Sequence, residues 1–185
     1  MLEKIKALDD RLIDKIGEMH TPILNKMMLF MTFLGDGGKV WFLMVAIILY
    51  FRRSVYLGAS LLLSLGVGIL TAEGIIKRIV CRVRPCHKMD ESNIILKKMP
   101  HFYSFPSSHS ATSFAVTTVS FMLCNHWVAL VMFCIALGVA FSRFYLQAHY
   151  LTDVICGIAL GIICGIVTVK LVYIVLNAIN PTLIK

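Results

Sequence analysis

Charge is scarce in this sequence. Asp, Glu, Lys and Arg supply 15% of its 185 residues, against about 25% in ordinary soluble domains. That scarcity excludes a disordered chain and an ordinary cytosolic enzyme, which both need a solvated surface. Proline is also sparse: of five, three fall between Lys77 and Pro106, so long stretches on either side are free of helix breakers. Acidic residues are outnumbered by basic ones, ten to 18, for a net charge of +8 and a pI near 9.3. In a soluble protein this excess would suit nucleic acid. Here it suits anionic headgroups, an inside-positive bias or an anionic substrate, and no nucleic-acid partner is expected.

What the sequence has in excess is apolar. Hydrophobic residues reach 58% and mean hydropathy is +0.82, with several runs long enough for a bilayer. A disulfide-framed secreted module is excluded, since Cys124, Cys134, Cys156 and Cys164 lie in or beside apolar helical stretches, where cysteine acts as a small hydrophobe. Cys81 and Cys86 sit in a polar segment and could pair in an oxidising compartment, though nothing requires it. No cleavable leader is expected within Met1–His20, because Asp9, Asp10, Asp14 and Glu18 interrupt any apolar core.

The length suits one domain. Residues 1–20 read as an amphipathic interfacial helix, with Leu2, Ile5, Leu8, Leu12, Ile13, Ile16 and Met19 at helical spacing. Thr21-Pro22 resembles an N-cap and first helical position, opening a short apolar helix to Leu34 that Gly35-Asp36-Gly37-Gly38 ends as a tight turn. A second short run, Val40 to Phe51, stops at Arg52-Arg53, and a third runs from Ser54 to Ile76. After the polar segment from Lys77 to Pro106, apolar helices resume at about His109–Cys124, Trp127–Phe141 and Asp153–Leu176. The expectation is an all-α polytopic membrane protein: a six-transmembrane-helix bundle over 21–185, its first two spans short, with an extracytoplasmic loop at about 77–106.

Orientation follows from Arg52-Arg53, a short interspan loop whose charges favour the cytoplasm. Six spans then put both termini inside and the segments Lys77–Pro106 and Arg143–His149 outside. The first of these carries seven Lys or Arg, which a naive count would place inside. Charges that serve a binding site are not there to set topology.

Ionisable groups near apolar segments cost roughly 2.5–3.5 kcal/mol each, so they usually have a partner or a task. Span parity brings Lys77 and Arg84, His109, Arg143, and His149 with Asp153 to one membrane face. Three cations, two imidazoles and a carboxylate suit a tetrahedral oxyanion: cations neutralise phosphoryl oxygens while histidines attack and protonate. His149 and Asp153 are i and i+4, so on a helix they share a face and Asp153 can accept from one imidazole nitrogen. Pro85 biases Arg84 out of helical dihedrals, so the helix should end near there. Arg143 and His149, six apart, would point about 120° from each other on one helix, so the chain should break between them.

Lys77-x6-Arg84-Pro85, then Pro106-Ser107-Ser108-His109, then Ser142-Arg143-x5-His149-x3-Asp153 resembles the three-part signature of the membrane type 2 phosphatidic acid phosphatases. These share their site with bacterial acid phosphatases and vanadium haloperoxidases. The resemblance implies a metal-free phosphohistidine mechanism with no cofactor. In it His149 attacks phosphorus, Asp153 supports it, and His109 protonates the leaving oxygen and then activates water. Lys77, Arg84 and Arg143 would bind phosphoryl oxygens, helped by Ser107 and the following amide. Ser108 departs from the family's usual glycine, and would cost stability or shift the phosphate if the chain there needs positive φ or a close backbone approach. The implied partners are a lipid phosphate, with undecaprenyl diphosphate favoured and phosphatidylglycerol phosphate or phosphatidic acid next, and the surrounding lipids of a bacterial plasma membrane. Selectivity is expected to lie in Lys88–Tyr103 and on lipid-facing helix surfaces.

Two rivals use the same cations: vanadate-dependent oxidation, against which the hydrophobic spans argue, and a lipid or anion transporter that only binds. Glu73, four before Lys77, either positions it or makes a plain i, i+4 ion pair. His20, His87, His101 and His126 read as solvated or interfacial, and a zinc site from His87, His101, Cys81 and Cys86 matches no ligand spacing. Lys170, deep in the last span, has no assigned role.

Overall fold

The computed structural model describes residues 2–90, 93–96, 98–100 and 103–184. His101 and part of Lys88–Tyr103 therefore lie outside the described residues. Among those described, the only pairing of extended backbone is a single antiparallel bridge between Val83 and Tyr103; all other regular structure is helical.

The N-terminal helix α1 spans Leu2–Glu18. Helix α2, Pro22–Gly35, opens as expected, with the Leu24 N–H donating to Thr21 Oγ1 and Pro22 in the first turn. A 3₁₀ turn at Asp36–Gly38 leads into α3, Lys39–Arg52; Gly37 and Gly38 take φ of 63° and 73°, left-handed values that favour glycine. Ser54 caps α4, Val55–Ile69, which continues through a π-helical turn, Leu70–Ile76, into α5, Lys77–Val80. Beyond the polar segment come α6 (Ser108–Leu123), α7 (His126–Tyr145) and α8 (Leu151–Ile179).

Four stretches are long and apolar enough to cross a bilayer: Pro22–Arg52, Val55–Val80, His126–Tyr145 and Leu151–Ile179. Helix α6, with 16 residues, is shorter and lies among them. The two short N-terminal spans expected from sequence are thus one kinked stretch. The reason lies in α2, which stays beside the ends of α6 and α7 that carry the motif residues. The Tyr145 hydroxyl donates to Asn25 Oδ1 at 2.9 Å, Arg143 donates to Thr32, and Asp36 meets His109.

Helix α1 also departs from expectation. Its Ile13 and Ile16 are buried while Lys4 and Lys6 are exposed, as amphipathicity requires. It packs, however, against the motif end of the bundle and not the opposite face. Asp9, almost fully buried, accepts from Arg82 Nη2 at 2.8 Å and from the Thr152 amide at 3.2 Å, and Gln147 Nε2 donates to the Ile13 carbonyl. A buried carboxylate needs such partners.

Glycines bring α6 and α8 together. A Cβ at Gly157, Gly161 or Gly165 would fall 2.5, 2.3 or 2.7 Å from the carbonyl oxygens of Ser107, Ala111 and Ala115 respectively. Small residues four apart on both helices let the backbones touch, the usual basis of helix association in lipid. This close seam sets the start of α8, with Asp153, against the start of α6, with Ser107.

Candidate active site

The third motif shows how local chain geometry gathers the site. Helix α7 ends at Tyr145 and α8 begins at Leu151, so the chain breaks between Arg143 and His149 as their angular offset predicts. Gln147 turns the chain at φ 53°, and the amides of Ala148 and His149 both donate to the Arg143 carbonyl at 3.1 Å. That fold-back places the His149 ring and the Arg143 side chain, both buried, at the same level. The first motif reaches them because α5 ends at Val80, Cys81 takes φ 49°, and Arg84 is extended ahead of Pro85 (φ −71°, ψ 151°).

Arg84 Nη1 donates to His149 Nε2 at 2.7 Å and to the Ala148 carbonyl at 3.0 Å. A guanidinium can only donate, so Nε2 carries the lone pair and the ring proton sits on Nδ1. Burial pushes the His149 pKa well below its ordinary value, and Arg84, Arg143, Lys77 and His109 push it the same way. The ring is therefore neutral. Asp153 lies 3.8 Å from Nδ1, too long for the hydrogen bond expected from the i, i+4 spacing. Its carboxylate is held elsewhere, accepting from the Tyr150 amide at 3.0 Å, which caps α8, and from Arg82 Nη1 at 2.7 Å.

Lys77 is buried and its ammonium meets Glu73 Oε1 at 2.5 Å, the i, i+4 contact that both readings of Glu73 require. Ser108 Oγ donates to the same carboxylate oxygen. Ser108 sits in the first turn of α6 and is not among the positive-φ residues, so its backbone does not require glycine. Ser107 caps that helix: its Oγ accepts from the Ser110 amide, and its own amide donates to the Asp153 carbonyl at 3.0 Å. The amides of Ser108 and His109 precede the first intrahelical bond, from Ala111 to Ser107, and so point out of the helix start, where anions bind.

Arg84, Arg143, Asp36, Glu73, Ser108 and His109 line a cavity of about 1140 Å³, whose other wall is mainly apolar, Leu29, Phe30 and Phe33 of α2 with Leu96 and Met99, edged by Lys26 and Lys98. Lys77 and His149 do not line it; His149 lies fully buried behind Arg84. All eight expected site residues thus occur at one end of the bundle, five facing or bordering the cavity or its helix start and the rest just behind.

Asp36, Arg82 and Asp9 escaped sequence reasoning as parts of the site. Asp36 Oδ1 lies 2.9 Å from His109 Nε2; its one signal was a carboxylate among glycines inside an apolar run. Arg82 bridges Asp153 and Asp9 and lies over the Tyr150 ring at 3.9 Å. Burial opposes its charge, but the two carboxylates more than offset this and raise its pKa. Nothing in sequence distinguished it from its basic neighbours. Cys81 and Cys86 are both free, Cys86 buried with its thiol pKa pushed up by burial. His20 is not merely solvated, since its Nε2 is 2.9 Å from the Tyr145 carbonyl, and His87 Nε2 is 3.0 Å from that of Pro100.

The PAP2 superfamily model matches residues 53–175, a span that encloses all three motifs. The chain belongs to the PAP2 superfamily. It is 28% identical over 138 residues to an undecaprenyl-diphosphatase of Sulfolobus acidocaldarius, covering 75% of this chain and 66% of that one. It is also 28% identical over 171 residues to phosphatidylglycerophosphatase B of Bacillus subtilis, covering 86% and 80%. The fold matches Aquifex aeolicus LpxE with a TM-score of 0.74 at 25% identity, over 86% of this chain and 93% of that one. A PAP2-type phosphatidylglycerolphosphate phosphatase from B. subtilis matches with the same score and identity, over 91% and 86%. Family and relatives together support a lipid phosphatase, the hydrolase class implied by the motifs.

Proposed function

We propose that this PAP2 protein removes a terminal phosphate from a lipid phosphate or diphosphate, undecaprenyl diphosphate favoured, through a phosphohistidine intermediate and without a metal. The observation that carries this reading is the 2.7 Å contact between Arg84 and the lone pair of a neutral, buried His149, behind a cavity with one cationic and one apolar wall. A phosphoryl group entering beside Arg84 and Arg143 takes the guanidinium from His149 and uncovers Nε2 as nucleophile.

Nε2 then forms a bond to phosphorus while the bond from phosphorus to the lipid oxygen breaks, and His109 gives that oxygen its proton. Water next attacks the phosphohistidine, His109 takes the water's proton, and the N–P bond breaks to release phosphate. Lys77, Arg84, Arg143 and the amides at the start of α6 hold the equatorial oxygens throughout. Asp153 steadies the charge that His149 acquires on attack. The lipid chain lies along Leu29, Phe30 and Phe33, and Leu96 and Met99, from the polar segment, line the same groove.

The membrane reading follows the same contacts. Arg53 closes the turn at the end of α4 opposite Lys77, so inside-positive bias puts Arg52 and Arg53 in the cytoplasm of a bacterium and the site at the outer surface of the plasma membrane. Because α1 and α2 stay at the site end, the crossings are α3, α4–α5, α6, α7 and α8, five in place of the expected six.

The test is a panel of lipid phosphates incubated with purified protein, with His149→Ala as control. Phosphate release by the native protein alone is expected, persisting in EDTA and inhibited by vanadate, a mimic of five-coordinate phosphorus. Movement of labelled lipid without phosphate release would favour a transporter, and substantial turnover by His149→Ala would defeat the nucleophile assignment.

A further inference from the structure

The Gly35-Asp36-Gly37-Gly38 turn lies ahead of the matched family span of 53–175 and belongs to none of the three motifs. It nevertheless ends against His109. The Asp36 amide donates to the carbonyls of Phe33 and Thr32, fixing the backbone at the end of α2. Gly37 and Gly38 take the positive φ that reverses the chain immediately afterwards. Gly35 makes the approach possible: a Cβ there would lie 2.7 Å from Val139 Cγ1 and 3.0 Å from His109 Cδ2. The Cδ2–Nε2 edge of the imidazole therefore faces the turn, with Nε2 at 2.9 Å from Asp36 Oδ1.

We infer that Asp36 is a positioning residue for the general acid, making Asp36–His109 a second carboxylate–imidazole pair beside Asp153–His149; this rests on the phosphatase reading above. The ring nitrogen left over is Nδ1, on the side away from the turn. With Nε2–H engaged by the carboxylate, Nδ1–H is the proton that passes to the leaving lipid oxygen. After that transfer the Nε2–H tautomer is retained, so Nδ1 presents its lone pair to the hydrolytic water and takes its proton. One carboxylate thus serves both half-reactions.

The charged groups facing His109 explain why it needs this partner. Burial bears most heavily against a charge on the ring, Arg143 from α7 and Arg84 from the polar segment add to it, and Asp36 is the anion set against them. Asp36 itself also faces Lys39 and Arg143. An imidazolium among guanidinium groups loses its proton readily unless a carboxylate within about 4–6 Å favours the charged form.

The discriminating experiment compares kcat/KM for dioctanoyl phosphatidic acid, whose alkoxide leaving group needs protonation, with p-nitrophenyl phosphate, whose phenolate does not. Asp36→Asn keeps the size of the side chain and removes the charge. It is expected to lower kcat/KM about 30-fold or more on the lipid and less than about threefold on the nitrophenyl ester. The basic limb of the lipid pH profile is expected to move down by about one unit, and Asp36→Glu to recover part of the lipid activity. Equal losses on both substrates, or an unmoved basic limb, would show a merely structural role and overturn the inference. A native protein inactive on both and on the whole lipid phosphate panel would instead overturn the phosphatase reading, and the inference with it.

Discussion

In the proposed mechanism His149 attacks only while its Nε2 lone pair is free of a proton, and its surroundings decide over which pH range that holds. Burial and the nearby cations lower its pKa well below the ordinary value near 6.5. A lowered pKa means that the neutral form survives as pH falls, so the acid limb of kcat/KM should lie well below 6.5 once substrate ionisation is subtracted. A pH–rate series on p-nitrophenyl phosphate checks this, and an acid limb at the ordinary imidazole value would contradict the burial. Arg82 invites a second test at this scale. Arg82→Met would leave the buried carboxylates of Asp9 and Asp153 facing each other. The expected cost is about 2–3 kcal/mol, below the full value for a buried pair because Arg82 is partly exposed. Unfolding in detergent measures it, and turnover should fall as well, since Asp153 loses its anchor.

At the scale of elements, the seam between α6 and α8 is the most demanding contact. Gly161→Val would drive a branched side chain into the Ala111 carbonyl and cost about 3 kcal/mol. It would also lift the start of α8 from the start of α6, lowering activity with stability. Gly66, where an added Cβ would meet nothing within 4 Å, is the contrast: Gly66→Ala should be neutral or gain about 0.5 kcal/mol. What sequence revealed at this scale was whatever depends on near neighbours. The caps at Thr21 and Ser107, the helix end ahead of Pro85 and the break between Arg143 and His149 all follow from residues within six positions of one another. The family motifs then supplied the long-range assembly of Lys77, Arg84, His109 and His149. Asp36, Arg82 and Asp9 stayed hidden because their partners lie 70 or more positions away and in no motif pairing. The expected hydrogen bond from His149 to Asp153 failed for a related reason: helical spacing brings the two side chains near, but Arg82 and the Tyr150 amide compete for the carboxylate.

For the whole molecule, the contacts of α1 support the proposed five-crossing thread. Amphipathicity marked Leu2–Glu18 as a surface helix but carried no information about which surface. The Asp9 contacts with Arg82 and Thr152 put it with the site, while α8 runs 29 residues, about 43 Å, away from that level. A single cysteine introduced by Glu3→Cys in a cysteine-free background should react with an impermeant maleimide in intact cells. One introduced by Thr182→Cys should react only after permeabilisation, and identical behaviour at the two positions would contradict the five-crossing thread. Lys170 fits the same thread: exposed and about 29 Å along α8, it would fall where a bilayer core of about 30 Å ends, within reach of headgroups.

The docking of α1 also imposes an order on biosynthesis. Asp9 and Thr152 are 143 positions apart, so at roughly 5–20 residues per second the ribosome needs on the order of 7–30 s to deliver the second after the first. Through that interval the leading helix has nothing to clasp, and its Asp9 stays hydrated at the lipid surface. Only when the last hydrophobic segment has left the translocon can the aspartate be sealed in, which makes maturation of the candidate site a post-insertion event.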